Sequence, residues 1–412
     1  MNDTQPSPSP SVKSVNPRQS VMQTPPPRYK QTEVGVIPED WEVKTLDCVG
    51  FVTSGKRLPL GSSLTTHETP HPYIRVTDMR PGTVSLADIM FVPSQVFPAI
   101  KRYRIFREDI FISVAGTLGI VGKVPQELDG ANLTENADRI TDITCSQDYL
   151  LHVLMSPLIQ TTIDSLQTVG AQPKLALARI RKFVVPIPPT LAEQQAIAEA
   201  LSDVDALTED LEQLIAKKRQ IKQGAMQELL TGKARLPGFS KEWESKRIGD
   251  ILALKYGRSQ RGLAVNGGTY PILGTGGEVG RTNEYLHDGP SVIIGRKGTI
   301  DIPQYVDTPF WAIDTTYFSE ISESANAMFL FYTFTSIDWY SYNEATGVPS
   351  LNAKTVENIE IHLPHLAEQT AIATVLSDMD GEITALEGKL VKARLVKQGM
   401  MQELLTGRIR LI

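Results

Sequence analysis

The sequence predicts a mixed α/β chain in which two globular α/β domains are joined by two long helices that pair as an intramolecular antiparallel coiled coil with pseudo-two-fold symmetry. Three observations predict it. First, the stretch Leu191–Leu236 returns as Leu366–Leu411 without a gap, at an offset of 175 residues and with 27 of 46 positions identical. An internal repeat of this kind has to be read before anything else. Second, each copy carries apolar residues at 3,4 spacing, as a long helix with one buried seam does. Third, the blocks before each copy show short β-type runs cut by Gly and Pro turns.

Composition sets the class. The chain has 412 residues, 41% hydrophobic and 21% charged, which suits a soluble protein of two or three domains. No apolar run approaches the roughly 18 residues of a membrane span, and the N-terminus lacks a basic-then-apolar signal. Two distant cysteines, Cys48 and Cys145, point to a reducing compartment and a cytoplasmic protein. The net charge of −6 does not advertise nucleic acid, yet a basic patch can sit inside an acidic total.

In chain order, residues 1–32 are rich in Pro and Ser and are expected to be a disordered tail, since they hold too little apolar surface to offset ordering entropy. The first domain is placed at 33–190, with β-type runs at 51–53, 73–76, 109–114 and 183–187 and a helix from Tyr149 to Leu166. The first helix, within 191–238, opens after Pro188-Pro189-Thr190. Thr190 and Glu193 there have capping-box spacing. Its seam is read as Ile197, Ala200, Val204, Leu207, Leu211, Leu214 and Ile221, interrupted at Lys218. The second domain is placed at 239–365 and the second helix at 366–412. That helix carries a seam of Leu376, Met379, Ile383, Leu386, Leu390, Ala393, Met400 and Leu404, interrupted at Lys397. Gly232 and Gly407 are stop signals. Both helices are acidic in their first half and basic in their second, so only an antiparallel pair sets acid against base.

The two blocks echo each other. Trp243-Glu244-Ser245-Lys246 follows Trp41-Glu42-Val43-Lys44, Gly257-Arg258 follows Gly55-Lys56, and Gly295–Thr299 follows Ser113–Thr117. Thr346, Gly347 and Pro349 follow Thr168, Gly170 and Pro173. A shared fold with diverged side chains is expected. About 40 helical residues span roughly 60 Å, compatible with two readers set about one DNA turn apart. The candidate DNA-binding residues are Lys56, Arg57, Arg75, Arg80, Lys101, Arg102 and Arg104 in the first block. In the second they are Lys255, Arg258, Arg261, Arg281, Arg296 and Lys297. Many lie in Gly-flanked loops, with Tyr73, Tyr103, Tyr256 and Tyr285 between them.

Catalytic motifs are scarce. The six histidines show no metal spacing. Gly274–Gly280 resembles a dinucleotide loop but lacks the βαβ setting. The Glu42/Lys44 and Glu244/Lys246 pairs have the spacing of some nuclease sites, yet each abuts a Trp at a domain start and reads as the edge of a structural element. A nuclease using these pairs is one competing reading. A coiled-coil adaptor between proteins is the other, favoured by the acidic total.

The Pro-Pro-x-x-x-Glu-Gln-x-x-Ile-Ala run at Pro188–Ala198 carries a family resemblance, with its partner at Leu366–Ala373. So do the helix ends Lys222–Gly232 and Lys397–Gly407. With them the chain resembles the specificity subunit of type I restriction–modification systems, from about Ile37 to the C-terminus. The resemblance implies two target-recognition domains, each reading half of a bipartite, asymmetric site in double-stranded DNA. It implies helices that space them and dock two methyltransferase (M) subunits, and restriction/translocase (R) subunits that join. S-adenosylmethionine, ATP and Mg2+ would belong to those partners, and this chain would catalyse nothing and bind no membrane.

Overall fold

In a computed structural model of the chain, the residues described are 28–165 and 174–411. They divide into two compact units, one holding the chain to Ala206 together with Arg394 onward, the other Leu207–Ala393. Most of the N-terminal tail lies outside the described residues, as do Leu166, Thr168, Gly170 and Pro173. Tyr29–Thr32, assigned from sequence to the tail, forms a strand paired with Gly35–Pro38.

In the first unit the apolar run Ile110–Ser113 becomes the inner strand of a four-stranded antiparallel sheet. The sheet order is 121–123, 110–113, 137–141, 51–54. Successive side chains leave a strand on opposite faces. Ile110 and Ile112 therefore pack with Val52, Ile140 and the helix Gln147–Met155, while Phe111 packs with Ile74, Met79 and Leu133. Burial on both faces explains a continuous apolar run rather than an alternating one. A smaller sheet pairs 72–74 with 131–133 in parallel.

The second unit repeats this plan. Its sheet runs 252–256, 316–321, 291–295, 304–306. Val292 and Ile294 face one core, and Ile293 faces another that contains Phe310 and Phe318. Again a small sheet holds a parallel pair, 270–274 with 311–312. The helix expected over Tyr149–Leu166 is two helices, Gln147–Met155 and Pro157–Ser165. Pro157 forces the residue before it out of the helical region, and Ser156 is extended at ψ 159°.

The repeated stretches are helices of 39 residues, Leu191–Leu229 and Leu366–Leu404. In the second unit Lys218 pairs with Glu382 at 2.6 Å, Arg219 with Glu387 at 2.6 Å and Lys222 with Asp380 at 2.5 Å. In the first unit Asp205 pairs with Lys397. Basic residues late in one helix thus meet acidic residues early in the other, and within each unit the helical segments run in opposite directions.

The seam of the second helix lies at the positions read from its sequence, all at least partly buried. That of the first is displaced. Its inward line is Ile197, Leu201, Val204, Thr208, Leu211, Ile215, Lys218 and Lys222, whereas Leu207, Leu214 and Ile221 are 50%, 40% and 48% exposed. Lys218 and Lys222 fit an inward line because their stems cover apolar surface while their ammonium groups reach acids. A rule that admits only apolar residues follows the neighbouring stripe instead. The 175-residue offset maps the inward line of one helix onto that of the other.

The repeat signature explains how the helix ends are held. Thr190 Oγ1 accepts from the Glu193 N–H at 3.2 Å, so Thr190 caps the first helix. The expected capping box is only half made, because the Glu193 carboxylate, fully buried, takes the Arg410 guanidinium, which also reaches Asp40 at 3.1 Å. Arg410 lies over the Trp41 ring, 5.9 Å from its centroid. The second unit repeats the arrangement with Arg235, Glu368 and Trp243: 2.6 Å between charges and 5.7 Å to the ring. Beside each Glu a Gln ties the helix to its unit. Gln194 accepts from the Ser146 N–H and donates to the Pro188 carbonyl, and Gln369 does the same with Asn326 and Pro364. Ser146 and Asn326 are themselves N-caps of the helices Gln147–Met155 and Ala327–Thr335.

One pair of matched positions differs. Asp380 accepts from the Tyr332 hydroxyl at 2.7 Å. In the first unit the matching Asp205 lies 4.0 Å from Nδ1 of buried His152, whose Nε2 is 3.0 Å from Ser202 Oγ. Burial pulls the His152 pKa down, and Lys397 and Lys123 add to this while Asp205 and Asp148 oppose it.

Two predictions follow from this packing. Arg410→Ala leaves a buried carboxylate without its cation and should destabilise the first unit by roughly 3–5 kcal/mol. Glu193→Leu with Arg410→Met should cost less than Arg410→Ala alone, read by urea denaturation. Because the folded-state pKa of His152 is below its unfolded value of about 6.5, the unfolded chain binds the extra proton. Stability of the first unit is then complete above about pH 6.5 and falls as pH drops below it. His152→Gln should flatten that dependence when denaturation midpoints are compared at acidic and neutral pH.

Candidate nucleic-acid interface

Each unit ends its outer sheet strand on a glycine that no other residue can replace without moving the backbone. A Cβ on Gly55 would meet the Thr134 carbonyl oxygen at 2.1 Å, and one on Gly257 the Ile313 oxygen at 1.9 Å. The backbone beyond each is held alike. Lys56 N–H donates to Leu133 at 2.8 Å and Arg258 N–H to Ala312 at 2.8 Å. The second echoed loop matches as well: the Val114 and Ala115 N–H groups donate to Asn136, those of Arg296 and Lys297 to Thr315. Ala115 bridges to Lys174 as Lys297 does to Ser350. The frames coincide and the side chains on them do not.

The candidate basic residues separate into those already engaged and those that are not. Arg57 pairs with Glu135 at 2.6 Å, which lies far along the chain. Arg75 grips buried Asp78 at 2.6 Å and the Asp88 carbonyl at 2.6 Å, so it holds its own turn. Arg80 donates to the carbonyls of Thr77 and Met79. Lys255 meets Glu320 at 3.2 Å across neighbouring strands. Arg281 clasps the carbonyls of Gly268 and Thr269, both at 2.8 Å, and pairs with Glu278. Recruiting any of the ion-paired ones to a phosphate means giving up an existing pair.

The remainder present their charge differently. Lys56 and Arg102 lie over the Tyr103 ring, at 5.8 and 5.1 Å, and Arg102 donates to its hydroxyl. Tyr73 donates to the Lys56 carbonyl at 3.0 Å, and burial pushes its phenol up to about 12. Arg104 stacks on Phe106 at 5.0 Å. Lys101, Arg258, Arg261 and Lys297 are exposed. Arg296 lies over Tyr256 at 5.5 Å. The first unit thus gathers Lys56, Arg102 and Tyr103, and the second Arg296 and Tyr256. Cationic groups held over aromatic rings suit contacts with phosphates or base edges.

Sequence reasoning missed the groups beside Arg296, namely Tyr317, Glu344, Ser350 and Asn352, which line one pocket with it. Tyr317 comes from the strand Thr316–Ile321 and the other three from the segment between Tyr342 and Ala353, and no local pattern links them to Arg296. The other sequence motifs are structural. Glu42 with Lys44 (2.7 Å) and Glu244 with Lys246 (3.0 Å) are exposed pairs along single strands. Gly274 to Gly280 spans a tight hairpin between 270–274 and 277–282, with no helix to receive a phosphate.

Comparison with known proteins bears on what this frame is for. Residues 38–223 and 240–393 match the family described as type I restriction modification DNA specificity domain. The chain is 26% identical to a putative type I restriction enzyme MjaX specificity subunit of Methanocaldococcus jannaschii, over 93% of this chain and 96% of that one. It is 25% identical to the MjaVIII specificity subunit of the same organism, over 91% and 94%. Among solved structures it resembles the S subunit of a type I restriction–modification system from M. genitalium. The TM-score is 0.62 at 16% identity, covering 88% of this chain and 96% of that one. With both blocks and most of both helices inside the family match, the chain belongs to the type I restriction–modification DNA specificity family.

Proposed function

We infer that the chain reads a bipartite, asymmetric DNA target, one part with each unit, and carries the reading to partner enzymes. The observation that carries this is the repeated frame with unlike side chains. Lys56, Arg102 and Tyr103 sit on one copy and Tyr256 and Arg296 on the other, so two different short sequences would be recognised. On this reading the long helices form an antiparallel coiled coil that docks two methyltransferase subunits, and restriction subunits join them. S-adenosylmethionine, ATP and Mg2+ belong to those partners, and the chain performs no reaction of its own.

The exposed stripe Leu207, Leu214 and Ile221 supports the docking role. It recurs every seven residues beside the inward line, where a partner helix would cover it.

Two measurements test this reading. Methylated bases should be mapped in DNA from cells carrying this chain and its methyltransferase, against cells lacking the chain. A gapped two-part motif present only with the chain is expected. Its absence, with the methyltransferase active beside another specificity subunit, would overturn the reading. Leu214→Lys with Ile221→Lys should weaken methyltransferase binding about tenfold or more without loss of helix content by circular dichroism.

A further inference from the structure

The pocket beside Arg296 has a volume of about 260 Å³ and opens at the end of the strand Leu252–Tyr256. Its backbone is held on several sides. The Arg296 N–H donates to Thr315 at 2.8 Å and its carbonyl accepts from Leu351 at 2.9 Å. The Tyr317 hydroxyl donates to the Leu351 carbonyl at 3.1 Å. Glu344 accepts from the Thr355 hydroxyl, and its N–H donates to Ser350 at 3.1 Å. A guanidinium laid over a ring on so fixed a frame loses little freedom when it binds. Among the described residues no carboxylate pairs with it.

Among the described residues, the same place in the first unit carries different side chains. Val114 takes the position of Arg296, with its N–H bonded to Asn136 and its carbonyl to Leu175 at 2.9 Å, and its side chain is buried. Ser54 and Asp138 stand where the second unit has Tyr256 and Tyr317, bonded to each other at 2.6 Å. One backbone site thus carries opposite chemistry in the two units, as a position that sets sequence preference would.

We propose that Arg296, supported on Tyr256, reads a guanine in the part of the target bound by the second unit, through the O6 and N7 acceptors of that base. This rests on the DNA-specificity reading above. A phosphate contact would need only positive charge, and the Glu344 carboxylate in the same pocket opposes a phosphate. The planar fork of a guanidinium matches two acceptors in one plane, which guanine presents in the major groove.

The test uses the assembled complex with its methyltransferase and DNA duplexes in which each base pair of the mapped target is changed singly. The wild-type complex should require a G·C pair at one position that Arg296→Ala ceases to require. Discrimination there should fall about 10- to 100-fold while every other position keeps its preference. If that variant fails to assemble, Arg296→Gln is read by the same criteria. Unchanged discrimination at every position would overturn the proposal, and so would an equal loss of methylation on all duplexes, which marks a phosphate contact. A wild-type complex that methylates every duplex equally would defeat the specificity reading itself, and the proposal with it.

Discussion

A fully buried carboxylate has to find a cation, and in each unit that cation comes from the other copy of the repeat. Glu193 near the start of the first helix is met by Arg410 past the end of the second, and Glu368 by Arg235 past the end of the first. Losing either arginine would strand a carboxylate inside the protein. Neither helix can therefore close its unit alone. The Trp at each domain start covers the guanidinium, and the neighbouring Gln holds the N-cap residue of the short helix earlier in its unit. The strongest signature in the sequence is thus a closure device, made wholly of repeat residues and the block residues they touch.

Much of the fold was legible because it depends on local patterns. The helices follow from periodicity, and their mutual direction from charge order. What was not legible turns on partners remote in sequence. The inward line of the first helix passes through Thr208, Lys218 and Lys222, and a lysine is admitted only because an acid waits on the facing helix. The second helix, with more apolar residues on its line, was readable on its own. The break at Ser156 was carried by Pro157, a local signal that the apolar spacing outweighed.

The candidate interface divides in the same way. Basic residues are visible in any sequence, but their prior commitments are not. Arg57 is bound to Glu135 and Lys255 to Glu320, partners a chain reading cannot supply. The echo of Gly55 in Gly257 was visible. Its cause is a carbonyl oxygen that leaves no room for a Cβ, contributed by strands some 50 to 80 residues further on.

The duplication has kept what faces inward and released part of what faces out. The offset that carries Leu201 and Ile215 onto Leu376 and Leu390 carries exposed Leu207 and Leu214 onto Glu382 and Lys389. The second helix instead exposes Val391, Leu395 and Val396. The outward faces of the two helices are therefore unlike in both position and chemistry. One ancestral segment has thus come to present two faces that are no longer interchangeable, although the lines by which the two helices pack remain the same.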